Sequence, residues 1–78
     1  MGAIDLVMLD ADTTGCIQTF YTAGGALTIG HVAILGRCYH DLAEVLPHLN
    51  PDERRYFHRL ERIAGDVLTQ LSHQGFET

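Results

Sequence analysis

A chain of 78 residues makes one small domain, which buries only about 60% of the surface its unfolded form exposes. Hydrophobic residues make up 46% of it and its mean hydropathy is +0.05, which is too apolar for a disordered segment, yet no run approaches the roughly 18 apolar residues of a membrane span. Ten acidic residues against five arginines and no lysine set a net charge of -5, which repels phosphate backbones and excludes a generic nucleic-acid binder.

The first residues, MGAIDLV, show neither a basic segment nor a long apolar core, so a signal peptide is not expected and the cytoplasm is the expected compartment. Cys16 and Cys38 are too few for a disulfide framework and lack a C-x-x-C spacing, which predicts buried free thiols. Charge is uneven. Asp5, Asp10, Asp12, Asp41 and Glu44 face Arg37 alone in residues 1–50, whereas residues 51–78 nearly balance.

In chain order, Ala3 to Leu9 mixes Ile, Leu, Val and Met around Asp5 and reads as a strand. Asp10 to Gly15 is rich in turn formers, and Cys16 to Thr22 alternates Ile17, Thr19 and Tyr21 with Cys16, Gln18 and Phe20, so the two segments predict a β-hairpin. After the break at residues 23–25, the run ALTIGHVAIL predicts a third strand that completes the strands of residues 1–35. A helical alternative exists, because Val32, Leu35, Tyr39, Leu42 and Leu46 repeat at three-and-four spacing. Gly30 and Gly36 would each weaken such a helix by about 1 kcal/mol relative to alanine, and they decide for the strand.

Residues 37–46 predict a short helix with Cys38, Leu42, Val45 and Leu46 on one side, ended by Pro47. The segment NPDE then marks a helix start: Asn50 at the N-cap, Pro51 at the first helical position, Glu53 where a carboxylate reaches back to the cap amide. Phe57, Leu60, Ala64, Val67 and Leu71 follow at helical spacing, with Ile63 and Leu68 widening the stripe, so a long helix is expected over 51–73 with a frayed tail at 74–78. The expected fold is therefore α+β: a small antiparallel sheet followed by two helices.

The stretch VMLDADTTG resembles the first motif of haloacid-dehalogenase-type phosphatases, an apolar strand ending in D-x-D-x-T. That resemblance implies phosphoryl transfer, with Asp10 as nucleophile, Asp12 as general acid/base and Thr14 as a phosphate contact; the chain departs from the family in having no lysine. The same residues match the first half of a calcium loop, with Asp10, Asp12 and Thr14 at alternate positions, but Tyr21 stands where the bidentate glutamate belongs. A hairpin turn accounts for every residue of the stretch without chemistry. Among the five histidines, His40 and Glu44 lie one helical turn apart, and His48 would join them only if Pro47 did not end the helix. No metal, cofactor or catalytic activity is expected; a weak divalent-metal site at Asp10 and Asp12, or less readily a minimal phosphoryl-transfer enzyme, is the alternative. Arg54, Arg55, Arg59 and Arg62 interleave with Asp52, Glu53, Glu61 and Asp66, as on a solvated and internally compensated helix face.

Geometry supplies the functional expectation. A helix of about 22 residues is roughly 33 Å long and a partner of about 10 residues covers roughly 15 Å of it. Phe57, Leu60, Ala64, Val67, Leu68 and Leu71 are the candidate partner-binding residues, and unless the small sheet covers the excess, Val67, Leu68 and Leu71, with Phe76 nearby, would be left as an open apolar patch. The expectation is a non-catalytic binding or regulatory module of the inhibitor, antitoxin or adaptor type, acting through this face or a sheet edge, as a homodimer or in a heterocomplex. The order hairpin, strand, helix also resembles that of HicB-type antitoxins, though without that family's aspartate-leucine-proline-glycine segment.

Overall fold

Asp5 caps the first helix. In the computed structural model, which describes residues 4–73, its carboxylate accepts the amides of Val7 at 2.9 Å and Met8 at 3.3 Å. Three helices follow: α1 (Leu6–Thr22), α2 (Ile29–Val45) and α3 (Pro51–His73), with a short 3₁₀ turn at Leu46–His48 between the last two. No strand occurs among the described residues, so the expected α+β fold with a hairpin and a third strand gives way to an all-α bundle. The strands read into residues 1–35 are α1, a glycine turn and the first part of α2, and the expected helix at 37–46 is the second half of a helix that begins at Ile29. The expected tail at 74–78, with Phe76, lies outside the described residues, as do residues 1–3.

Packing explains why α1 is a helix despite a strand-like composition. Leu9, Thr13, Cys16 and Phe20 are its buried residues, at +4, +3 and +4, the spacing of one helix face. Its threonines find partners inside the helix: the Thr13 hydroxyl donates to the Leu9 carbonyl at 2.7 Å and that of Thr19 to the Gly15 carbonyl at 2.8 Å. The helix stops at Gly24 and Gly25, whose φ values of 72° and 97° lie in the left-handed region that side chains disfavour. The Gly25 amide reaches back to the Phe20 carbonyl at 2.8 Å.

Thr28 caps α2, accepting the His31 amide at 3.2 Å. Leu35, Cys38, Leu42 and Val45 form its buried face, and burial of each large side chain, about 1.5–3 kcal/mol, outweighs the glycine penalty at Gly30 and Gly36. Helix α3 opens on a closed capping box: the Glu53 amide donates to Asn50 Oδ1 at 2.8 Å, and the Asn50 amide donates to Glu53 Oε1 at 3.2 Å. Arg54 fastens the preceding turn by donating to the carbonyls of Leu46 at 3.2 Å and Leu49 at 2.8 Å.

Two apolar layers stack along α3. In one, Phe57 and Leu60 meet Leu9, Cys38, Leu42, Val45 and Leu49; in the other, Ala64, Val67 and Leu71 meet Cys16, Phe20, Leu27 and Leu35. The start of α3 thus packs with the start of α1 and the end of α2, so α1 runs parallel to α3 and α2 antiparallel to both. Helices α1 and α2, each of 17 residues and about 26 Å long, together cover the inward side of α3. Between α2 and α3, Gly65 admits the Tyr39 ring, because a Cβ there would sit 3.1 Å from Tyr39 Cε1.

Candidate functional site

The stripe expected to meet a partner is used inside the subunit. Phe57, Leu60, Ala64, Val67 and Leu71 are exposed by 9% or less, and Leu68 is half-buried against the same core. The correction has a simple cause: the segment read as a sheet is helical, and its two long helices shield the stripe that one short helix would have left open.

Asp10, Asp12 and Thr14 lie in the middle of α1 rather than in a loop. Side chains two positions apart on a helix diverge by about 200°, so the two carboxylates serve opposite flanks. Asp10 turns toward α3, where its Oδ1 accepts the Tyr56 hydroxyl at 2.7 Å and the Thr14 hydroxyl at 3.2 Å. Asp12 turns toward α2 and lines a groove with Arg37, Cys38 and Asp41. Asp10, Asp12 and Thr14 therefore stand neither in the loop of the calcium pattern nor at the strand end of the phosphatase motif. His40 and Glu44 stand exposed on α2, and no group of three or more His, Cys, Asp or Glu side chains among the described residues is placed to hold a metal ion.

The cysteines are free and buried. The Cys16 thiol donates weakly to the His31 carbonyl at 3.7 Å, and its pKa is raised, first by burial and then by the negative potential of Cys38 and Asp12. Burial and a raised pKa both disfavour the thiolate, the nucleophilic form.

What the fold leaves open is the outward side of α1. The exposed positions there are Val7, Met8, Ala11, Gly15, Gln18, Thr19, Tyr21 and Thr22, with no charged residue among them. Val7 is 78% exposed and Met8 55%. A solvent-facing helix surface is ordinarily polar and charged; the outward side of α3, with Arg55, His58, Arg59 and Arg62, is so. On the α2 side the neutral strip continues into two shallow depressions that share Asp12. One, of about 210 Å³, is lined by Ile4, Asp5, Met8, Leu9, Asp12, Arg37, Cys38 and Asp41. The other, of about 270 Å³, is lined by Ala11, Asp12, Gly15, Cys16, Thr19, His31 and Ile34. Together they form a groove along the α1–α2 seam on the side away from α3.

The arginine face is less compensated than its sequence implies. Glu53 is engaged in the capping box, and the one ion pair among the described residues joins Arg55 to Asp52 at 3.8 Å between two well-exposed side chains. Such a pair contributes little.

Comparison of the chain with models of known protein families, with curated proteins and with solved structures finds no match. No described helix is long and apolar enough to cross a membrane. The α1 surface is hidden by the strand-and-turn expectation, which places Val7 and Met8 in a strand and Ala11 and Gly15 in a turn. The signal was present all the same: Val7, Met8, Ala11 and Gly15 fall on one side at helical spacing, opposite Leu9, Thr13, Cys16 and Phe20, so both sides of this helix lack charge.

Proposed function

We propose that this chain is a non-catalytic protein-binding module that engages its partner through the outward face of α1 and the α1–α2 groove. The observation that carries the reading is an exposed helix surface without a single charged side chain, on a domain whose inward faces are already satisfied by its own core. The apolar part of that surface, Val7, Met8 and Ala11, is contiguous, and a contiguous exposed apolar patch rimmed by polar groups marks an interaction site. Here Asp5, Asp12, Arg37 and Asp41 supply that rim. The partner surface thereby moves from the buried stripe of α3 to the opposite side of the bundle, and a sheet edge plays no part.

Site-specific photo-crosslinking in the native host tests the reading. A photoreactive side chain at Met8 is expected to yield discrete covalent adducts, and one at Thr69, on the outward side of α3, none. Equal adducts from both positions, or none from either, would refute it.

A further inference from the structure

We infer that the segment received by the α1–α2 groove is an amphipathic helix whose apolar stripe is flanked by lysine or arginine. The inference rests on the binding surface proposed above and adds the chemistry of its occupant. Along one end of the groove, beside Met8 and Leu9, stand the carboxylates of Asp5, Asp12 and Asp41 with Arg37 as their one cationic neighbour. Toward the other end, Ala11, Gly15 and Ile34 offer small or apolar contacts, and nothing lies within 4 Å of the place a Gly15 side chain would occupy. A helix laid along this seam sets side chains at i, i+3, i+4 and i+7 into the groove, and its flanking positions then fall over the acidic end.

Charge decides between occupants. A covered carboxylate must find a cation or a hydrogen-bond donor, or it carries the full desolvation cost. A second copy of this chain brings through the same face one arginine, Arg37, against the three carboxylates: in a parallel pairing the carboxylates meet each other, and in an antiparallel pairing they meet an end whose polar groups beyond the shared Asp12 are only Thr19 and His31, so a self-pairing leaves acidic groups in excess over cations. An acidic segment or a polyanion is repelled by the same three groups. A basic amphipathic helix satisfies both halves of the groove at once, and attraction between the opposite charges speeds its encounter.

The test uses the full chain labelled with nitrogen-15 and three synthetic peptides: a leucine–lysine amphipathic helix, the same helix with glutamate for lysine, and a scrambled leucine–lysine sequence. Only the first is expected to shift amide resonances, with the shifts concentrated in residues 8–15 of α1 and 34–41 of α2. Combined Asp12→Asn and Asp41→Asn substitution is expected to weaken that binding at least tenfold, with the fold verified by circular dichroism. Equal binding of the lysine and glutamate peptides in the groove would overturn the charge assignment while leaving the binding surface standing. Shifts confined to other faces, or no binding by any peptide, would overturn both. A dimeric solution mass with the groove resonances protected would replace the basic helix by a second copy.

Discussion

The hydroxyl of Tyr56 donates to Asp10 Oδ1 at 2.7 Å, joining α3 to α1 across 46 positions of sequence. This bond gives Asp10 a structural role in joining the two helices. It also raises the Tyr56 pKa above the ordinary phenolic value of 10.0, first through the hydrogen bond to Asp10, then through burial and the carboxylate charge. The folded state therefore holds the phenolic proton more tightly than the unfolded chain does. The stabilisation is complete below the unfolded value of about 10 and is lost as pH rises through the higher folded value. Ultraviolet titration is expected to show a late-ionising phenol, and Tyr56→Phe is expected to remove that late step. The same variant should lose about 0.5–1.5 kcal/mol of stability at neutral pH, toward the lower end because the ring is half-exposed.

The capping box at the start of α3 predicts a second result. Asn50→Ala removes the acceptor of the Glu53 amide and is expected to cost about 0.5–2 kcal/mol in thermal or denaturant unfolding, whereas Asn50→Asp keeps an acceptor and should stay near the parent. Equal losses for both variants would show that the side-chain oxygen is not what holds this end.

The start of α3 was legible because its signals are local: a cap, a proline and a carboxylate within four residues, followed by an apolar stripe of fixed period. Helix α2 was half legible. Its period runs through Val32, Leu35, Tyr39 and Leu42, but Gly30 and Gly36 counted against it, and propensity cannot weigh the core contacts of Leu35 and Leu42 that outbid them. Helix α1 has the look of strand and turn in the sequence because apolar and hydroxylated residues occur all around it and Gly15 imitates a turn. Short helices draw most of their stability from tertiary packing, and that packing is spread over residues distant in sequence. The proposed binding surface is hidden in the sequence for the same reason. A strand reading splits Val7, Met8, Ala11 and Gly15 between faces and loop, while the helix gathers them.

Leu71→Ala separates a core role from a surface role for the α3 stripe. Leu71 is 3% exposed and packs among Phe20, Leu27 and Val67, so truncation is expected to cost about 2–5 kcal/mol, a large share of what a small domain possesses. A lower urea midpoint for the isolated chain is the expected measurement. An unchanged midpoint would return Leu71 to the surface.

Two glycines set the last expectation, with opposite signs. Gly24 holds a φ of 72°, and Gly24→Ala is expected to destabilise by about 1–2 kcal/mol through the left-handed penalty alone. Gly15 lies inside α1 with open space where a Cβ would go, so Gly15→Ala should stabilise the free chain by about 1 kcal/mol. The added methyl projects from the outward face of α1 into the proposed docking surface. A partner helix seated against Gly15 would meet it, so this variant should melt higher and bind more weakly than its parent. Stability and affinity rising together would place the partner elsewhere on the bundle, because a glycine left uncovered in the complex has no reason to resist alanine.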